Sequence, residues 1–363
     1  MIALSFTAGF FVQTSSSLMK SKRKYIPLFF VLLLVAAGYM AWMLFGPTID
    51  EPADKFFYIP TGASYQEVKD YLVKEKILSG SFWFSKVADW LDYNKSIKPG
   101  KYKINSGMSL VNLVRMLRSG NQSPVNLVIT KLRTREDLAR KLGNNFECDS
   151  AKVIQFLNSN DSLAGYDLDT NTVMTAVIPN TYILKWNNTP STLFKKLYTE
   201  QQKFWTEKRR AAALAMNLSL KDVYTIASIV EEETNEEADK GKIASVYLNR
   251  LRSGMKLSAD PTVKYAMKDF GLKRIYFKYL SFPSPFNTYM VKGLPPGPIC
   301  TPSIKTLDAV LNAPATGYLF FVAKPDFSGY SNFASTYEEH QKYAKAYQQA
   351  LDSLIRAKQE KGK

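Results

Sequence analysis

The sequence predicts an α+β protein with a single N-terminal transmembrane helix, a small membrane-proximal α+β domain and a larger α+β domain beyond it. Three observations predict this. Residues 26–46 run twenty-one positions without a charge. Short β-like runs, FFYI, VNLVIT and YLFFVA, are scattered among longer segments with helical periodicity. The 363 residues suit two domains of about 100–200 residues each plus an anchor. The chain is read as a cytoplasmic segment 1–25, a span 26–46, a domain 47–124 and a domain 125–363.

At about 1.5 Å per residue the run IPLFFVLLLVAAGYMAWMLFG is long enough for a hydrocarbon core of about 30 Å. Lys20, Lys22, Arg23 and Lys24 precede it and Asp50, Glu51 and Asp54 follow. The positive-inside rule therefore places the N-terminus in the cytoplasm and the rest outside, on the periplasmic or extracytoplasmic face of the plasma (inner) membrane. The run exceeds the core of a cleaved signal, about 7–15 residues, and no small-x-small site follows, so it reads as an anchor. Residues 1–18 add an apolar stretch, and Met19 opens a basic start that is an alternative initiator.

Beyond the anchor, FFYI reads as a strand, and Ser64 with Glu67 forms a capping box for a helix through Val68, Tyr71 and Leu72. An aromatic-rich helix follows at 81–91, with Trp83 and Trp90 read as core. Pro99-Gly100 is a turn, 101–104 a strand, and Ser109 caps a helix that Gly120 ends. Residues 125–130 are a further strand and Thr134 caps the next helix. Residues 143–170, rich in Asn and Asp, read as loop. A long helix is expected from about 192 to 215. Later come a helix at 220–235, another at 243–251, and an Asp260-Pro261-Thr262 turn with Asp260 as N-cap. The loops SPFNTY and GLPPGPICTP are of the rigid kind that line clefts. A helix at 307–313, the strand YLFFVA and a terminal helix at 335–358 complete the chain.

The net charge of +16 would suggest nucleic acid in a cytosolic protein. The anchor removes that partner and leaves anionic lipid and cell-wall polymers. Cys148 and Cys300 form no metal spacing and read as buried thiols or a disulfide. With His340 the only histidine, a His/Cys zinc site, a Ser-His-Asp triad and a Cys-His pair are hard to build. An enzyme here must run mainly on carboxylates.

The run IVEEET supplies them. At about 100° per residue, Val223, Ile226, Ala227 and Val230 share one helix face. Glu233 and Thr234 continue that face, Glu231 sits at its edge, and Glu232 points the opposite way into solvent. An inward acid near a helix end is desolvated, which raises its pKa and suits a general acid at neutral pH. A glutamate run is equally the ordinary signature of a solvated helix face, and spacing alone leaves both readings open.

These segments together resemble a known family. IASIVEEET, KIASVYLNRLRSGMKLSADPTVKYAM, NTY, GLPPGPI and YLFFVA, in that order, are similar to the membrane-anchored endolytic murein transglycosylases, the MltG or YceG-like proteins. KPGKYKINSGMSLVNLVRMLRSG resembles their LysM-like region, which makes the larger domain the catalytic one. The resemblance implies cleavage between N-acetylmuramic acid and N-acetylglucosamine within nascent peptidoglycan strands, leaving a 1,6-anhydromuramyl end. It implies that Glu233 is catalytic and that Glu231, Asn249, Asp260, Thr262, Asn287 and Tyr289 line the cleft. It implies glycan strands and peptidoglycan synthases as partners, with no metal or organic cofactor. Where Asn180 stands, the family often has Asp.

Two other readings stay open: a noncatalytic peptidoglycan-binding scaffold, and a hydrolase (muramidase) using Asp260 as a second carboxylate.

Overall fold

The computed structural model describes the backbone of residues 16–272 and 274–361 and the side chains of 25–272 and 274–357. The apolar stretch at residues 1–15 lies outside the described residues. The chain forms two compact units, one ending at Ser123 and one beginning at Pro124.

In the first unit, helix α1 (Ser16–Phe45) carries an apolar segment, Tyr25–Phe45, with a mean hydropathy of 2.4. Its length and composition suffice to cross a bilayer. Strand β1 (Phe56–Ile59), helices α2 (Tyr65–Lys74) and α3 (Phe82–Trp90), strand β2 (Gly100–Lys103) and helix α4 (Leu110–Ser119) follow. β1 pairs antiparallel with β2, placing Phe57 opposite Tyr102, and both rings are buried. The expected caps form. Ser64 accepts from the Glu67 amide in a full capping box, Ser109 accepts from that of Asn112, and Gly120 takes the left-handed C-cap at φ 70°. Trp83 packs against this core, but Trp90 is 64% exposed, contrary to its reading as core. Phe84, Val87 and Ala88 already fill the inward face of α3, and Trp90 falls outside it.

The second unit begins with β3 (Val125–Ile129), α5 (Arg135–Gly143), α6 (Ser150–Leu157), α7 (Asn160–Ala164) and β4 (Asn180–Leu184). Then come α8 (Pro190–Phe204), α9 (Glu207–Ala215), α10 (Leu220–Glu233), α11 (Glu237–Arg252) and α12 (Asp260–Met267). The short α13 (Phe277–Leu280), α14 (Ile304–Leu311), β5 (Phe320–Ala323), β6 (Ser331–Ala334) and α15 (Tyr337–Lys361) close the chain. β3 pairs antiparallel with β4, and β5 with β6. One core gathers around β3, β4 and helices α5 to α8. The other gathers around α10, whose residues 223–230 are all buried under α11 and α14. Both cysteines are free, buried thiols.

Two expectations are corrected. The Asn/Asp-rich stretch 143–170 holds two helices among its turns: Asp149 and Ser159 are N-caps, and Val153, Leu157 and Leu163 enter the core. Polar residues that suggested a loop are there to start helices. The single helix at 192–215 is two, broken at Trp205-Thr206. Adjacent residues on a helix point about 100° apart, so burying both Phe204 and Trp205 favours a turn of the chain. Arg209 and Arg210 then donate to the freed carbonyls of Phe204 and Trp205.

The GLPPGPICTP loop is stitched down. Ser228 of α10 accepts from the Ile299 amide at 3.0 Å, and the Thr301 amide donates to the Leu132 carbonyl at 2.7 Å. A Cβ on Gly297 would meet the Asn171 carbonyl oxygen at 2.0 Å, so only glycine permits this approach.

Candidate active site

Helix α10 ends on three glutamates, where the partial negative charge of a helix C-terminus disfavours them. The fold compensates each one differently. Glu231 Oε2 accepts from Ser303 Oγ at 3.1 Å and from Thr306 Oγ1, and lies 3.4 Å from Lys240 Nζ. It thereby holds the start of α14. It also borders a groove of about 360 Å³ shared with Lys131, Asn180 and Thr301. Glu232 is not the solvent-facing residue expected: its side chain is 13% exposed. Arg133 donates to both its oxygens, at 3.1 and 2.9 Å, and Lys131 Nζ lies at 3.2 Å. Periodicity placed it opposite the α10 core, but the segment after β3 covers that side.

Glu233 makes no ion pair among the described residues. Its Oε1 accepts a 2.5 Å hydrogen bond from the Tyr247 hydroxyl of α11. Burial pushes its pKa from the ordinary 4.5 to about 7; the Tyr247 bond opposes that, and nearby Asp260 adds to it. Arg250 and Lys264 pull weakly the other way. Glu233 is thus tuned to gain and lose a proton near neutrality.

Asp260 proves not to be an N-cap. Ala259 occupies that position, and Asp260 is already helical. Its carboxylate instead accepts a 2.7 Å hydrogen bond from the Tyr289 hydroxyl. Burial and Asp260 push the Tyr289 hydroxyl well above its ordinary pKa, so it stays a neutral donor.

The other expected cleft residues serve the frame. Thr262 is fully buried, donating to the Ala259 carbonyl and bonding Thr288 Oγ1 at 2.9 Å. Asn287 is fully buried as well. Its amide donates to the carbonyls of Leu280 and Phe282, and its oxygen accepts from the Tyr289 amide at 3.0 Å. Asn249 donates to the carbonyls of Thr316 and Tyr318, securing the approach to β5. Thr262 and Asn287, expected to line the cleft, spend their hydrogen bonds on the groups packed around them, as buried polar groups do. Asn287 nonetheless sets where Tyr289 stands.

The profile of the YceG-like family matches residues 57–346. The chain belongs to the YceG-like family. The match runs from β1 to α15 and so includes both compact units. Among YceG-like relatives, the endolytic murein transglycosylase of Bacillus subtilis is 29% identical over 328 residues, covering 84% of this chain and 89% of the relative. The endolytic murein transglycosylase of Streptococcus pneumoniae is 27% identical over 353 residues, covering 86% of this chain and 63% of the relative. The chain thus spans less than two thirds of the pneumococcal protein. A crystal structure of a YceG-like protein from Listeria monocytogenes superposes with a TM-score of 0.54 at 27% identity, over 79% of this chain and 98% of that one.

Within this YceG-like site, Tyr247 and Arg250 were not anticipated as functional. Tyr247 lies on the apolar face of α11, where an aromatic reads as core, and it is indeed buried. Only its hydroxyl, aimed at Glu233, betrays a second role. Arg250 donates from Nε to the Leu319 carbonyl at 2.7 Å, and burial holds its pKa below the usual arginine range.

Proposed function

We propose that this protein is a membrane-anchored endolytic lytic transglycosylase. It cleaves the bond between N-acetylmuramic acid and N-acetylglucosamine within nascent peptidoglycan strands, leaves 1,6-anhydro ends, and so limits glycan elongation. What carries the proposal is Glu233, a carboxyl with its pKa pushed up to about 7 and held by Tyr247. The names of the YceG-like relatives support the substrate class.

Protonated Glu233 donates its proton to the glycosidic oxygen as the bond to the anomeric carbon breaks. The sugar's own 6-hydroxyl oxygen then bonds that carbon, and its proton passes to the Glu233 carboxylate, restoring the acid. The nucleophile is part of the substrate, so proximity is built in and no water is activated. Tyr289, a neutral donor fixed by Asp260, holds a sugar substituent. The Asp260 carboxylate adds negative charge near an oxocarbenium-like transition state. Glu231, Asn249, Thr262 and Asn287 position this pair of dyads.

Helix α1 is the anchor in this reading, with its N-terminus in the cytoplasm and residues 125–363 forming the catalytic domain outside. Residues 47–124 form the LysM-like domain, whose resembling segment spans β2, the turn and α4. Peptidoglycan synthases are the expected partners.

The full chain is incubated with glycan strands and the products are read by mass spectrometry. Anhydro ends, one water lighter than reducing ends, are expected. Glu233→Gln should lower their formation by about 10²–10⁴-fold, the usual worth of a general acid–base group. Undiminished cleavage by that variant removes Glu233 as catalyst. Reducing muramic acid ends would favour the hydrolase with Asp260 as second carboxylate, and binding without any cleavage would favour the scaffold.

A further inference from the structure

The first unit leaves an aromatic face uncovered. Phe82 and Trp90, the first and last residues of α3, stand 63% and 64% exposed. With Lys86, also exposed, they fall at i, i+4 and i+8, one face of a helix. The Lys86 ammonium lies 5.8 Å from the Phe82 ring centroid. Two large exposed rings flanking a lysine suit a surface where one side is apolar and the other wet.

The position of this face says what covers it. Helix α1 packs against α3 and α4, and Leu44 near its end joins the core of the unit. Phe82 and Trp83 line one groove with Tyr39 and Met43 of α1. Tyr39 lies six residues before Phe45, where the helix ends, or about 9 Å along the axis. Around it Met40, Trp42 and Phe45 are exposed. Thr48 and Ile49, just past the helix end, line the same groove, so Phe82 and Trp83 sit at the level of the last turns of α1. In a spanning helix that depth is the boundary between acyl chains and headgroups, where aromatic rings concentrate.

We propose that α3 is a second contact with the bilayer that α1 crosses. Phe82 and Trp90 enter the interface, and Lys86 extends its ammonium to the headgroup phosphates. The occupant is lipid, through continuity with the apolar surface of α1. This rests on the reading of α1 as a membrane span.

The test uses the full chain in vesicles of phosphatidylcholine and phosphatidylglycerol, with one nitroxide at a time on Phe82→Cys or Trp90→Cys. Trp42→Cys in α1 is the lipid reference and the exposed Asp70→Cys the water reference; the native thiols are buried. The labels at 82 and 90 should collide with oxygen as the label at 42 does, and with a water-soluble nickel chelate several-fold less than the label at 70. If 42 is shielded from nickel while 82 and 90 match 70, α1 still spans and the proposal fails. If 42 is itself open to nickel, the span and the proposal fail together. Shielding of 82 and 90 from both reagents would mean that protein, such as a second copy, covers the face. Shielding that appears only on adding glycan strands would assign the face to sugar. Either result overturns the lipid contact.

Discussion

The Tyr247 hydroxyl donates a 2.5 Å hydrogen bond to Oε1 of Glu233, joining the end of α10 to the buried face of α11. The bond fixes the carboxyl where the helix ends and holds its pKa lower than burial alone would. Its partner dyad, Asp260 with Tyr289, acts on Glu233 in the opposite sense through its negative charge.

Activity that needs protonated Glu233 should fall as pH rises through about 7. Stability should follow the same group. Its carboxyl titrates near 4.5 when unfolded and near 7 when folded, so between those values the folded state binds more protons. The protein should lose stability as pH rises across that window, by about 3 kcal/mol in total at about 1.4 kcal/mol per unit. Glu233→Gln, which keeps an acceptor for Tyr247, should therefore be the more stable protein at pH 8 by an amount of that order. The difference should vanish below the unfolded pKa. Urea midpoints of the two proteins that run parallel from acid to alkaline pH would disprove the burial argument.

Tyr247→Phe and Asp260→Asn should move the pH–rate profile in opposite directions. Losing the Tyr247 bond, which favours the carboxylate, should shift the alkaline limb up. Losing the Asp260 charge should shift it down. Tyr247→Phe should also lower kcat by about tenfold, the equivalent of about 1.4 kcal/mol, the worth of one hydrogen bond. Profiles of kcat/KM for both variants check the signs; a shared direction would refute the opposing-dyad account.

Glu232→Ala should destabilise without touching the chemistry. It leaves Arg133 without its bidentate partner in a part-buried site, at a cost of about 1–3 kcal/mol. Thermal unfolding should show the loss, and the pH–rate profile should keep the wild-type limbs. A shifted limb would bring Glu232 into the active site.

Asn287→Ala should strip two carbonyls, those of Leu280 and Phe282, of their buried donor. A loss of about 2 kcal/mol is expected, together with a rise in KM as Tyr289 loses its backbone hold. An unchanged melting temperature with raised KM would instead make Asn287 a direct sugar ligand.

What could be read from the chain was local. Ser64, Ser109 and Thr134 announced their helices because a cap satisfies amides two or three residues ahead. The choice of Glu233 over its two neighbours followed from helical periodicity, which holds as far as the helix extends. The same periodicity misjudged Glu232, because Arg133 lies ninety-nine residues away in sequence, and no pattern within α10 reports it. Asp260 was read as a cap from its place before a proline; a one-residue shift of the helix start freed its carboxylate for Tyr289.

The sequence by itself determined the apolar segment, the helix starts at Ser64, Ser109 and Thr134 and the inward glutamate, since each depends on residues within a turn or two. Only the tertiary structure decided the partners. Burial and a tyrosine on a second helix give Glu233 its pKa, cations from the segment after β3 neutralise Glu232, and the backbone spends the polar groups of Thr262 and Asn287. A pKa or a hydrogen bond of that kind depends on groups that folding brings together from distant parts of the chain, and their local sequence carries no record of one another.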